Sequence, residues 1–513
     1  MKGEDVMQRS VLDYLEQSAD KFPDKIVFAD NENSITYQEF RKTAKAVATG
    51  LIAHVKTGRN RPVVVLIERK IESIAGFFGV VYSGNFYVPV DFSIPAKRIE
   101  LMIETLQPEA VIVTEKTKRI MEQVKYDGCV LDLQELAGTA INHEILDEIA
   151  EQRIDTDPLY AIFTSGSTGV PKGVLVSHRS VIDLIDNFKE EFAFDETLVL
   201  GNQAPFDFDV SVKDIYSTLK NGGTMYVIPK MMFSMVARLI DYLNENQINT
   251  VIWATSALRI VENLNVFSQK LPKHLRTVMF SGEVMPNKVL NYWRNYLPDV
   301  MYVNLYGPTE ITCNCTFYKV DRPFADEEAL PIGITFKNTD VFLLDAERKS
   351  LVEPGETGEL CVRGSSLALG YYNNEEKTRE AFIQNPLNPM YPETIYCTGD
   401  LVRYAEDGNL MFISRKDYQI KHMGHRIELS EIEIAINALP FVEAACCIYD
   451  EQEEKIVCFY QAAEQCDREL LRSLGKTLPK YMFPNRLEHY EKLPLNKNAK
   501  IDRTWLKENY ILK

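Results

Sequence analysis

Apolar positions in the N-terminal half of the chain fall into two alternating patterns. Short unbroken runs such as VVVLIE (63–68) and AVIVTE (110–115) have the length of buried strands. Between them lies SIAGFFGVVYSG (73–84), a helical stretch. The alternation predicts α/β layers on a mainly parallel sheet. From about residue 310 the pattern shortens. Runs such as DVFLLD and GELCVRG sit between the turn signals EPGETG and EDGN, which predicts antiparallel sheet or barrel. Beyond RKDYQIK (415–421), ELSEIEIAINAL predicts an amphipathic helix with acids in its first turn. AACCIYD and KIVCFYQAA then predict two strands, followed by another helix. This last part has the texture of a small α+β domain hinged to the large one.

Composition narrows the class without naming it. A chain of 513 residues is long enough for two or more domains. Its 57 basic and 74 acidic residues give a net charge of −17, a poor match to a nucleic-acid backbone. No apolar run approaches the ~20 residues of a membrane span. The first residues mix charges and lack the apolar core of a signal peptide, so a cytoplasmic location is expected. None of the nine cysteines stands in C-x-x-C spacing, which points to reduced thiols rather than disulfides or a metal site.

The densest chemistry is the run TSGSTGVPKG (164–173), directly after the apolar LYAIF. Glycines let backbone N–H groups turn toward an anion, hydroxyls add donors, and Lys172 adds charge. The run suits a polyphosphate. It is not a Walker loop, because Pro171 precedes the lysine and Gly173 follows it where Ser or Thr is required. G-x-G-x-x-G is absent, which weighs against a dinucleotide-binding Rossmann enzyme.

TSGSTGVPKG resembles the signature of the adenylate-forming superfamily, which includes acyl-CoA synthetases, luciferases and amino-acid adenylation domains. The remaining motifs follow in family order across nearly the whole chain: ITYQEF (35–40), YSGNFYVPVD (82–91), FDVSVKD (208–214), NLYGPTE (304–310), GELCVRG (358–364), YCTGD (396–400), SRKDYQIKHMGHRIELSEIE (414–433) and NKNAKIDR (496–503). The resemblance implies a large N-terminal domain over 1–415, of layered α/β sheets plus a distorted β-barrel. It also implies a small mobile α+β domain over 416–513.

The resemblance further implies ATP and Mg²⁺ as cofactors and gives each motif a role. Thr164, Ser165, Gly166, Ser167, Thr168 and Lys172 would hold the leaving phosphates. Glu310 would bind Mg²⁺, a hard cation that needs few carboxylates. Tyr306 would stack on adenine, with Asn304 and the Gly282 backbone at its edge and Glu283, Gly307 and Thr309 alongside. Asp400 would accept both ribose hydroxyls, with Arg415 near the ribose. Lys500 would be the catalytic lysine, a cation bridging carboxylate and α-phosphate as charge builds. Asp417 would be the hinge, and Gly424 would admit a pantetheine thiol. Two positions depart from the family pattern: Ala499 stands where glycine is usual before the lysine, and Ser414 where glycine is usual beside the hinge.

In amino-acid-activating relatives an aspartate at the place of Asp209 pairs with the substrate ammonium. The competing reading makes Asp209 a helix N-cap, and Asp207 is read as structural. Val210, Lys213, Trp253, Met279, Ser281, Leu305, Cys313 and Asn314 complete the pocket by the same resemblance. The stretches VIWATSAL and VMFSGEVMP look like D-alanine–carrier-protein ligases, where a tryptophan shrinks the pocket. Lys213 and Asn314 are polar where that group is apolar, so two readings stand: either the substrate bears a polar or acidic group, or Lys213 snorkels outward. The expected reaction is adenylation of a small amino acid, then thioester transfer to an acidic, phosphopantetheinylated carrier protein. With 13 residues after Lys500, that carrier is expected on a separate chain. The rival readings are an acyl- or aryl-CoA ligase and an inactive nucleotide-binding scaffold.

Overall fold

The computed structural model describes residues 8–55, 58–166, 169–326, 328–353, 355–416, 419–495 and 501–511. The apolar runs form the centre of a seven-stranded sheet. Pro62–Ile67 pairs in parallel with Phe86–Asp91 on one side and Ala110–Val113 on the other. Every residue of Pro62–Ile67 is buried, as befits a strand covered on both faces. The helix Ile71–Tyr82 is likewise buried on nearly all sides, since its sequence offers almost no polar face.

A second, nine-stranded sheet carries a parallel core through Val199–Asn202, Thr250–Ala254, Thr277–Ser281 and Met301–Tyr306. One hydrophobic cluster runs from the first sheet to one face of the second, and a separate cluster fills the other face. After residue 310 the chain builds a five-stranded antiparallel sheet that includes Gly358–Gly364, Thr394–Tyr404 and Leu410–Arg415. Its strands follow an open path, so it is a half-barrel rather than a closed barrel.

The C-terminal part holds the hairpin Gln419–His422/His425–Glu428, the helix Leu429–Asn437 and a three-stranded sheet. It has its own core, centred on Ile432, Ile456 and Leu470. No described helix is long and apolar enough to cross a membrane.

Candidate active site

The Ser/Gly loop hangs from a β-hairpin. Pro158–Thr164 runs antiparallel to Lys172–Ser177, and Thr164 stands directly opposite Lys172. The two ends of the loop are thus held together, with a hydroxyl and an ammonium at its base. A side chain on Gly166 would strike the Val170 carbonyl, so glycine is required for the tight return. Among the described residues the buried Thr164 Oγ1 has no hydrogen-bond partner. A buried, orphaned hydroxyl facing a cavity is what an anion-binding loop leaves open for its ligand.

That cavity lies between the two sheets, the half-barrel and the C-terminal hairpin, with an empty volume of about 1180 Å³ including the part open to solvent. Thr164 and Ser165 wall one end, and Asp400 and Arg415 another. Gly282, just past Thr277–Ser281, has φ +100°, and nothing lies within 4 Å of where its Cβ would be. Its bare backbone therefore faces open space in the wall.

Paired charges fill the nucleotide end. Arg415 Nη1 donates to Asp400 Oδ1 at 2.6 Å, and the Tyr306 hydroxyl donates to Asp400 Oδ2. Each carboxylate oxygen retains a lone pair for a further donor. Glu310, fully buried, accepts from Arg426 Nη1 at 2.6 Å and from the Tyr371 hydroxyl at 2.7 Å. Burial opposes its ionisation, but Arg426 and Lys172, with Tyr371, hold its carboxyl down at about 2. Lys172 Nζ sits 5.0 Å from the Tyr371 ring centroid, and burial lowers its pKa, with Arg426 acting in the same direction.

The C-terminal hairpin and helix reach into this end. Ser165 Oγ donates to the Arg426 carbonyl at 2.8 Å. Gly166 N–H donates to Glu431 Oε2 at 3.2 Å, while Arg98 pairs with the other oxygen of that carboxylate. A carboxylate from the small domain therefore occupies a donor of the phosphate loop. Gly424, at φ +81°, donates its N–H to Glu283 Oε1 at 2.8 Å.

Another part of the cavity wall is built on the helix Val210–Asn221. Asp209 occupies the N-cap position but has helical φ and ψ and makes no capping hydrogen bond. The capping reading is therefore set aside, and the half-buried side chain lines the cavity. Burial raises the Asp209 pKa, against a hydrogen bond from Thr309 and the charge of Lys213. Lys213, one helical turn on, is fully buried and lines the same cavity. The reading in which it snorkels outward is thereby corrected. Its Nζ donates to Asn314 Oδ1 at 2.7 Å. Cys313 Sγ donates to the Asp209 carbonyl at 2.8 Å, and Val210 and Ser281 complete this wall.

Other expected pocket residues lie elsewhere. Trp253 pairs in register with Phe280, and Ile252 with Met279. Alternation along a strand then puts Trp253 on the face away from Ser281, where it packs on Phe233 and Trp293 and donates to the Gly201 carbonyl. It does not shrink the cavity. Met279 and Leu305 face the correct side but are packed in the core beneath the cavity wall. Asn304 turns away from the nucleotide end and donates to the Pro331 carbonyl at 2.8 Å. Tyr306 is nearly covered, with Lys421 Nζ 5.9 Å from its ring centroid. Gly307 and Thr309 line the wall. Ser167, Thr168, Asp417 and Lys500 lie outside the described residues.

Asp207, read as structural, also lines the cavity, and several residues there had no individual role in the sequence: Arg98, Lys421, His425, Arg426 and Tyr481. The last four come from the C-terminal part, three of them in the motif KHMGHRIEL. His425 stacks on Tyr481 at 3.6 Å between ring centroids. The Asp207 Oδ1 is buried with no partner among the described residues, and burial, with Asp91 nearby, pushes its carboxyl up to about 7.

The sequence model of the AMP-binding enzyme matches residues 15–372, and that of the AMP-binding enzyme C-terminal domain matches residues 431–500. The chain belongs to the AMP-binding enzyme family. Tyrocidine synthase 1 of Brevibacillus parabrevis is 31% identical over 505 residues, covering 98% of this chain and 45% of that protein. This chain thus spans under half the length of that relative. The crystal structure of IdnL1 matches with a TM-score of 0.80 at 27% identity, over 96% of this chain and 100% of that one. Holo-PA1221, described as an NRPS protein containing adenylation and PCP domains bound to a vinylsulfonamide inhibitor, matches with a TM-score of 0.82 at 23% identity. The match covers 98% of this chain and 84% of that one, and speaks for the fold.

Adenylate-forming enzymes use ATP and Mg²⁺. The residues present fit both. The orphaned Thr164 hydroxyl, the Gly166 N–H and Lys172 suit phosphate oxygens. Glu310 is an ionised buried carboxylate, and Mg²⁺ is commonly held by one or two carboxylates plus substrate phosphates. In the arrangement described, Arg426 and Tyr371 each donate to one of the two Glu310 oxygens.

Proposed function

We propose that this chain activates the carboxylate of an amino acid as an aminoacyl-adenylate and passes the acyl group to a pantetheine thiol on a carrier protein. The observation that carries this reading is Asp209, a carboxylate free of capping duty that lines the cavity. A half-buried carboxylate with a raised pKa favours a cationic ligand group, and an α-ammonium supplies one. With the ammonium held there, the substrate carboxylate points back toward the nucleotide end.

In the first half-reaction a carboxylate oxygen attacks the α-phosphorus of ATP, the bond to the β-phosphate oxygen breaks, and pyrophosphate leaves. Thr164, Gly166 and Lys172 bind the departing phosphates. Bound Mg²⁺ supplies neutralisation of phosphate charge at Glu310. Asp400 holds the ribose. Lys500 is assigned the bridging cation. In the second half-reaction the thiol sulfur attacks the acyl carbon, the bond to the AMP oxygen breaks, and the thiol proton leaves to solvent. Gly424 stands at the thiol's side of the cavity. The Glu431–Gly166 contact fits this second arrangement, because it takes a phosphate-loop donor that is open once pyrophosphate has gone, with Arg426 then paired to Glu310.

The test is ATP–pyrophosphate exchange over D- and L-amino acids, with fatty and aryl acids as controls. Exchange with amino acids supports the reading; exchange only with the controls replaces it by an acyl- or aryl-CoA ligase. Lys500→Ala is expected to abolish adenylation and spare transfer from a supplied aminoacyl-adenylate. Loss of both in a folded variant overturns that assignment.

A further inference from the structure

The helix Val210–Asn221 presents two opposite charges to one cavity. Asp209 and Lys213 are one turn apart and both line it. Lys213 is fully buried, and among the described residues its Nζ forms one hydrogen bond, to the neutral Asn314 amide, and no salt bridge. An ammonium has three N–H donors, so two remain for another partner. Asp209 and Asp214 both act on it through their charge, but neither forms a salt bridge to it among the described residues. Asp209 takes a hydrogen bond from Thr309, and Asp214 Oδ2 accepts from Asn202 Nδ2 at 2.7 Å. Removing a lysine from water without a counter-ion costs several kcal/mol, so such a charge facing a cavity is a demand for an anion.

Asn314, itself buried, takes one Nζ donor on its Oδ1 and so anchors the ammonium of a residue that lines the cavity. The Ser/Gly loop has a lysine of its own, Lys172, for a triphosphate. A plain alkyl side chain would leave the ammonium desolvated and unpaired, the most costly outcome for that group.

We propose that Lys213 and Asn314 select an amino acid whose side chain carries a carboxylate, of the aspartate or glutamate class, with Asp209 taking the α-ammonium. This rests on the amino-acid reading above. The substrate then carries one group for each of three sites: ammonium to Asp209, side-chain carboxylate to Lys213, and reacting carboxylate toward the α-phosphate. The cavity admits acids and discriminates against their amides, because an amide brings an acceptor without the charge.

The test is ATP–pyrophosphate exchange with L- and D-aspartate, L- and D-glutamate, asparagine, glutamine, alanine and lysine. An acid is expected to exceed its own amide in kcat/KM by about 10–100-fold, the loss of one charge-assisted hydrogen bond. Lys213→Met is expected to lower the acid-to-alanine preference by about 100-fold, and Asn314→Ala by less. Preference for alanine, an amide or lysine overturns the proposal while leaving amino-acid adenylation standing. So does an acid-to-alanine ratio unchanged in a folded Lys213→Met enzyme. Exchange with no amino acid but with fatty or aryl acids overturns the amino-acid reading itself, and this inference with it. If Lys213→Met fails to fold, the substrate ranking of the unaltered enzyme still decides.

Discussion

The two ends of the cavity treat charge in opposite ways. At the nucleotide end Glu310 is matched by Arg426, Asp400 by Arg415, and Glu431 by Arg98. At the acyl end Asp209 and Lys213 share a helix, yet Lys213 forms no salt bridge among the described residues. Two of the three pairs at the nucleotide end join the C-terminal part to the large domain. The charges at the acyl end belong to one rigid helix and cannot be relieved by moving it. The first set is paired across the fold, and the second leaves Lys213 without a salt bridge among the described residues.

Breaking the nucleotide-end pairing has the largest expected effect. Arg426→Ala leaves Glu310 buried without its cation, a penalty of about 3–5 kcal/mol on the docked arrangement. Thiol transfer should fall by more than about 100-fold, with exchange changing less. Equal losses in both half-reactions would show that Arg426 serves adenylation instead. The pair also sets an acid limit. The Glu310 carboxyl lies below its unfolded value, so its contribution is present above the ordinary carboxylate range and is lost as pH falls toward about 2. Arg426→Ala should flatten that acid limb in thermal melts.

At the acyl end, Asp209→Ala should raise the KM for the amino acid by about 10–100-fold, the cost of a charged hydrogen bond, with the KM for ATP nearly constant. An unchanged amino-acid KM would return Asp209 to a structural role. Asp207 sharpens the contrast through pH. Its folded pKa of about 7 is above the unfolded value, so the native state holds an extra proton between the two, and stability falls as pH rises through that window. Asp207→Asn should therefore gain stability at pH 8 relative to pH 5, by on the order of 2 kcal/mol after allowing for partial exposure. A melting-temperature difference independent of pH would refute it.

The smallest effect is expected at Gly424. Alanine there meets only ordinary contact, with the Ala254 Cβ 3.5 Å away, but must adopt φ +81°. The cost is about 1–2 kcal/mol on the hairpin, and transfer should slow by about 5–30-fold with adenylation unaffected. Impaired exchange would place Gly424 in the first half-reaction.

Much of this was legible along the chain. The buried strand Pro62–Ile67, the all-apolar helix Ile71–Tyr82 and the hairpin loop from Thr164 to Lys172 follow from local pattern, because length, periodicity and glycine placement act over a few residues. Trp253 was not legible. Its place depends on which face of a parallel strand meets the cavity, and a run apolar on both faces gives no alternation to read. Arg98 was hidden for another reason, since its partner Glu431 is 333 positions away.

The sequence by itself determined the elements, the family and the phosphate loop, since each is written in contiguous residues whose chemistry is local. Only the tertiary structure decided that Lys213 is buried rather than snorkelled, that Asp209 does not cap its helix, and that Arg426 holds Glu310. Those outcomes depend on which groups from distant segments share one desolvated space. The energy of a charge there is set by its neighbours in space rather than by its neighbours along the chain.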